Sequence, residues 1–278
     1  MVRSALAEWM KDGLIAPERS EKEENMATKI YDLSQPFGTD TPLWPFPGPR
    51  QDLVFQRVEY LGRFHKRSVV YTGTFHAGTH MDAPSHVLHL SEGGIMLDKV
   101  PLESCYGKGV VVDLRHMKKW HIITGEDLEK AKPKIEPGDF VIFNTGYHKL
   151  WRMNNYEYYN HYPGLGPDGA DWLVKKKVKG VAGTWGATDS PLWHYPLSQT
   201  MPWLDKEFRK ETGRDPDAEF PDYEPCHRIL LRNGIVTIEN AGGDVDLITG
   251  KRCTIAAFPF RCELADGGMV RLVAIVEE

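Results

Sequence analysis

A chain of 278 residues with 41% hydrophobic and 26% charged side chains has enough apolar material for a buried core and too ordinary a charge content for wholesale disorder. A formal net charge of −5 argues against a nucleic-acid partner, and no window approaches the run of about 18 apolar residues that spans a bilayer. Four cysteines without CxxC spacing read as spectator thiols of a reducing cytoplasm, in preference to a disulfide framework or a thiolate site.

Residues 3–15 set Ala5, Leu6, Trp9, Met10 and Ile15 near one helical face, and 16–29 is a polar linker. Glu8, Lys11 and Asp12 interrupt the apolar positions, so this is no secretory signal. Residues 1–29 are therefore expected to be a helical extension, and 30–278 one domain. The domain opens with a short strand and the Pro- and Gly-rich loop 33–49, which carries Trp44 and Phe46. Segments 52–61 and 67–75 alternate β-branched and aromatic residues as strands do, and 109-GVVVDL-114 reads as a buried strand. Thr124 is positioned to cap a helix over 124–132. A turn at 136-EPGD-139 leads into the strand 140-FVIFNTG-146. A helix from Asp168 to Lys177 feeds the strand 179–185, with the basic run 175-KKKVK-179 as its solvated end. Residues 207–225 are expected to leave the core as a polar excursion. A short helix, a Gly turn and a strand fill 226–242, and strands fill 253–264 and 269–278. Helices between strands predict an α/β fold with a mixed sheet or partly closed barrel and flanking helices.

The stretch 72-TGTFHAGTHMDAPSH-86 gathers three histidines and an aspartate among turn-forming residues. Imidazole nitrogen and carboxylate oxygen together suit a divalent ion such as Zn²⁺ or Mn²⁺. His80 and Asp82 are two apart and project to one side of an extended backbone, while Gly78 lets the chain turn and bring His76 back. A helical HExxH site is excluded because Ala77 follows His76. Ligands from elsewhere are sought in His227 and in Glu239, at the end of the apolar run 235-IVTIE-239; a merely exposed Glu239 is an equal alternative on composition. His65, His89, His116, His121, His148 and His161 stand without suggestive company, and His194 is left open.

The segment 76-HAGTHMDAPSH-86 resembles the signature of the cyclase family of metal-dependent hydrolases, which includes bacterial kynurenine formamidase and isatin hydrolase. Segments 30–45, 180–191, 227–239 and 255–275 resemble further parts of that family, so the resemblance runs from about residue 30 to the end. It implies a swivelling β/β/α fold, usually in homodimers or larger assemblies such as homotetramers. It implies that His76, His80 and Asp82 hold one metal, and that Asp82 and Glu239 bridge to a second metal also bound by His227. Two zinc ions, or manganese, are the implied cofactor. His86 is implied as general acid/base and Trp44 as a wall of the substrate pocket, with Asp189 and Ser190 in a turn expected to face the substrate.

A divalent ion lowers the pKa of bound water from 15.7 to roughly 7, giving a hydroxide able to attack an amide or lactone carbonyl. His86, one short turn away from the cluster, is suited to protonate the leaving group; a fourth ligand or an orienting residue are its alternatives. Trp44, Phe46, Trp193 and Trp203 point to a flat aromatic small molecule. The expected reaction is hydrolysis of the C–N bond of an aryl formamide or cyclic amide. Lactone hydrolysis and a non-catalytic metal-binding role are the alternatives.

Overall fold

The structure is a computed structural model and describes residues 27–45 and 52–277. The expected N-terminal helix and Phe46 lie outside the described residues. The strands are β1 (Thr28–Asp32), β2 (Val54–Glu59), β3 (Ser68–Thr72), β4 (His80–Asp82), β5 (Tyr106–Asp113), β6 (Ile122–Ile123), β7 (Phe140–Asn144), β8 (Gly164–Leu165), β9 (Gly180–Gly183), β10 (Val236–Glu239), β11 (Arg252–Ala256), β12 (Gly267–Met269) and β13 (Val273–Glu277). Nine of them form one curled mixed sheet in the order β1-β13-β11-β5-β7-β9-β10-β4-β12, as expected. β5, β7, β9 and β10 run parallel, and antiparallel strands complete both flanks.

The apolar runs at 109–112 and 140–143 follow from burial on both faces, the usual state of central parallel strands. Val110, Val112, Val141 and Phe143 enter the core under the crossover helices, whereas Val111, Phe140 and Ile142 enter the core on the other face. The helices Gly125–Lys130, Pro167–Lys176 and Pro225–Arg232 cover the first of these cores. Thr124 caps its helix as expected, with Asp127 completing the reciprocal box. Asp168 does not start the next helix; Pro167 does, and the Asp168 carboxylate accepts the Gly125 amide at 2.7 Å. Among the described residues β2 and β3 pair only with each other.

Two expectations about the C-terminal half change. Residues 207–225 leave the main core as expected but are not merely polar: Leu204 and Phe208 of the helix Pro202–Thr212 and Phe220, just past the helix Pro216–Glu219, are buried in an apolar cluster of their own. The run 253–264 is strand only to Ala256, and 269–278 is interrupted between β12 and β13. The cysteines are free thiols, and no helix among the described residues is long and apolar enough to cross a membrane.

Candidate metal centre

β4 is the platform. His80 and Asp82 leave one face of it while Met81 enters the core from the other. The antiparallel register sets Glu239 opposite His80 and Thr237 opposite Asp82, and paired residues share a face. Glu239 closes a parallel strand, and Asp189 lies in the loop after β9, so the site forms beyond the carboxyl ends of the parallel strands, where α/β sheets bind ligands.

His76 arrives from the loop before β4. Gly78 turns that loop at φ +65°, and a Cβ there would also meet Phe37 at 2.8 Å. Gly267, paired with Asp82 on β12, leaves room for the His76 ring: a Cβ would lie 2.6 Å from its Cε1. His227 comes from the first turn of the helix Pro225–Arg232. Asp189 fixes that turn, accepting the amides of Cys226 (2.7 Å) and His227 (3.0 Å) and lying 2.6 Å from His227 Nδ1.

Two trios result, His76–His80–Asp82 and Asp82–His227–Glu239. In the first, Asp82 Oδ1 lies 2.9 Å from His76 Nδ1 and 3.4 Å from His80 Nε2. In the second, Asp82 Oδ2 lies 3.4 Å from His227 Nε2, which is 3.0 Å from Glu239 Oε1. Glu239 Oε2 reaches back to 3.6 Å from His80 Nε2. Ligand atoms on a tetrahedral ion with bonds of about 2.0–2.1 Å lie roughly 3.3 Å apart, so both trios have the spacing of coordination edges. His80 donates from Nδ1 to the Gly78 carbonyl at 2.9 Å, which leaves Nε2 buried with no hydrogen-bond partner. Such an orphaned nitrogen amid carboxylates fits a cation.

Buried imidazoles and carboxylates set against one another shift each other's titration. Burial would raise the Asp82 carboxyl, but His227, His76 and His80 hold it well below the usual range. Burial pushes His76 down, yet Asp266 and Asp82 outweigh this and raise it to about 10. His227 is likewise lowered by burial but raised well above the ordinary value by Asp189, Asp82 and Glu239.

His86 sits at the edge. Its ring stacks on His76 with centroids 4.1 Å apart. Its side chain is 26% exposed against 3% for both His80 and His227. Asp266 Oδ2 lies 3.3 Å from His86 Nδ1 and 3.1 Å from His76 Nε2. The sequence reading missed Asp266; the available signal was the Asp-Gly-Gly run ahead of the final strand. His76, His86 and Asp266 form a third, more open group with ligand spacing.

Trp44 touches three apolar clusters, meets Tyr159 edge-on at 5.3 Å and stacks on His194 at 4.8 Å. Asp189 and Ser190, expected to face a substrate, are both wholly enclosed. The carboxylate of Asp189 is engaged by His227 and backbone, and Ser190 Oγ accepts the Leu192 amide at 3.4 Å. Trp193 and Trp203 belong to the helical cluster around Phe208 and Phe220, and Trp185 packs in the core against Phe143. Three histidines set aside as lone have acidic company in space: His121 with Asp127, His148 with Asp246 and His161 with Glu207.

The Cyclase family model matches residues 31–190. The chain is 30% identical over 251 residues to Cyclase-like protein 2 of Arabidopsis thaliana, covering 89% of this chain and 79% of that protein. It is 25% identical over 252 residues to the kynurenine formamidase of Erythrobacter litoralis (strain HTCC2594), covering 88% and 93%. Among solved structures, an isatin hydrolase bound to the product analogue thioisatinate superposes with a TM-score of 0.72 at 19% identity, covering all of both chains. By its sequence signature, its curled mixed sheet and these matches, the chain belongs to the cyclase family of metal-dependent hydrolases.

Proposed function

We propose that this protein hydrolyses the C–N bond of a small aryl formamide or cyclic amide with the help of two divalent ions, zinc or manganese. The observation that carries the reading is Asp82, which belongs to two ligand trios and turns one oxygen toward the histidines of each, while the more accessible His86 stands beside them. His76, His80 and Asp82 would hold one ion, and Asp82, His227 and Glu239 the other. Ions bound there supply an activated water and a Lewis acid for the carbonyl.

The remaining work falls to the chain. The Gly78 carbonyl and Asp189 each hold a proton on Nδ1 of the histidine they face, so that His80 and His227 both offer Nε2. Thr237 Oγ1 donates to Asp82 Oδ2 at 2.9 Å and the Thr188 amide to Glu239 Oε1 at 2.8 Å, which fixes both carboxylates. Asp266 aligns His86 through Nδ1, leaving Nε2 to pass a proton to the leaving nitrogen. Trp44, wedged between Tyr159 and His194, gives a flat wall that excludes water from one side.

The test is elemental analysis of the purified protein with a hydrolysis screen of aryl formamides, lactams and lactones. Amide turnover that a chelator abolishes and the metal restores is expected. His86→Ala should lower kcat by about 10²–10⁴-fold with metal content unchanged. Loss of metal from that variant would make His86 a ligand, and turnover of lactones alone would replace the amide reading.

A further inference from the structure

Asn240 follows the candidate ligand Glu239 at the end of β10 and stands in the left-handed region at φ 57°. Asparagine tolerates that conformation better than most residues with a side chain. Asn240 is buried, and each of its four polar groups is engaged. Its amide donates to the Trp185 carbonyl at 3.0 Å, and its carbonyl accepts the Thr79 hydroxyl at 2.7 Å. Its Nδ2 donates to the Gly78 carbonyl at 3.0 Å, and its Oδ1 accepts the Tyr158 hydroxyl at 2.8 Å. Chemistry fixes which way this side chain points: a backbone carbonyl can only accept, so the NH₂ group faces Gly78.

The same Gly78 carbonyl lies 2.9 Å from His80 Nδ1. With two lone pairs it takes both the Asn240 side chain and the His80 ring. Gly78 lacks a Cβ and is itself left-handed at φ 65°, so its own chemistry does little to hold its peptide group in one orientation. Asn240 grips the loop at two points, Gly78 through the side chain and Thr79 through the backbone carbonyl. Tyr158 comes from the helix Asn155–Asn160, is wholly enclosed, and has its hydroxyl 3.1 Å from the Trp185 carbonyl as well. Neither Asn240 nor Tyr158 belongs to any of the ligand groups.

We propose that Asn240 and Tyr158 are positioning residues for the ion assigned to His76, His80 and Asp82: Tyr158 sets the Asn240 amide, Asn240 sets the Gly78 carbonyl, and that carbonyl sets the His80 ring with Nε2 turned toward Asp82 and Glu239. The proposal rests on the metal binding in the reading above, not on an amide as substrate. Partners one bond removed from a ligand orient it and tune its hold on the ion. Without the Asn240 side chain, the Gly78 carbonyl would keep His80 alone as its partner, and ring and peptide could turn together. One residue thus ties the strand that ends in Glu239 to the loop that delivers His80.

The experiment reads zinc binding to the full chain by competition with a chromophoric chelator, together with the visible spectrum of the cobalt-loaded protein. Asn240→Gly keeps the left-handed backbone and removes both side-chain bonds. It should weaken the ion held through His80 by about 10–100-fold and alter the cobalt spectrum, while the other ion keeps its wild-type affinity. In a His80→Ala background the same substitution should cost the remaining ion nothing further. Wild-type affinity and spectrum in Asn240→Gly overturn the proposal, whatever the stability of the variant. A further loss in the His80→Ala background also overturns it, since the effect would then run through Glu239. Tyr158→Phe removes only a hydroxyl and should act in the same direction with a smaller loss. If Asn240→Gly does not fold, Tyr158→Phe decides, and unchanged zinc affinity there overturns the proposal. Weakened zinc in Asn240→Gly beside a wild type that hydrolyses no amide supports the positioning role and sinks only the hydrolase reading. Unchanged zinc beside amide turnover sinks only the positioning role.

Discussion

Replacing Asp189 by Asn tests whether this carboxylate decides which His227 nitrogen faces the metal centre. Asp189 is wholly enclosed. Its Oδ1 accepts the Cys226 amide at 2.7 Å, and its Oδ2 lies 3.0 Å from the His227 amide nitrogen and 2.6 Å from His227 Nδ1. An amide offers one accepting oxygen in place of two. If the Asn oxygen takes the His227 side, its NH₂ group faces the Cys226 amide, and a buried donor loses its partner at about 1–3 kcal/mol. If the amide turns over, its NH₂ group faces Nδ1 and pushes the imidazole proton onto Nε2. That is the nitrogen 3.0 Å from Glu239 Oε1 and 3.4 Å from Asp82 Oδ2, so the proton would block ligation. The expected outcome combines a stability loss of about 1–3 kcal/mol with a fall of about 10–100-fold in affinity for the second ion. Urea unfolding of chelator-treated protein reads the first quantity, and competition with a chromophoric chelator reads the second. Lowered stability with unchanged affinity for both ions would refute the reasoning and leave Asp189 as an anchor of the helix start alone.

Gly267→Ala should displace the His76 ring, because the added Cβ would sit 2.6 Å from Cε1. Metal content should drop by one ion per chain and kcat by about tenfold or more, whereas full metal content with normal turnover would show that the ring has slack. Glu207 gives a pH prediction remote from the site. Burial tends to raise it, but Lys119, Tyr156 and His161 hold it from 4.5 down to about 2. A depressed carboxyl stabilises the folded state above its unfolded value, and that contribution is lost as pH falls from 4.5 through about 2. Glu207→Gln should therefore cost about 1–2 kcal/mol near neutral pH and little near pH 2 in thermal unfolding; a gap that persists in acid would contradict the assignment.

The candidate metal centre was legible in sequence to the extent that its candidate ligands obey local geometry. His80 and Asp82 share a strand face because of period two, and that is visible in the string. That His76 returns to them needed only the Gly78 turn. His227 and Glu239 were reachable because an apolar strand ending in a carboxylate is costly without a partner. Asp266 had only the Asp-Gly-Gly run to mark it, and its proximity to His86 depends on β12 pairing with β4, a contact across 180 residues. Asp189 was noticed for its turn but given the wrong neighbour: only the tertiary structure brings the start of a helix onto its carboxylate. The apolar character of 207–225 was hidden because Phe208 and Phe220 are sparse in that stretch and meet each other and Leu204 only through folding of the helices.

The division of labour within the fold has a physical basis. The ligand trios stand on a sheet buried on both faces, where His80, Asp82 and Glu239 are fixed by strand pairing and the adjoining turns. Any shift there moves several bonds at once, so the chemistry tolerates little change. The wall that includes Trp44, His194 and Tyr223 leans on the helical segment after Ser190, which closes its own apolar cluster of Leu192, Leu197, Met201, Leu204, Phe208 and Phe220. A segment with its own core can be reshaped without disturbing the register of β4 against β10.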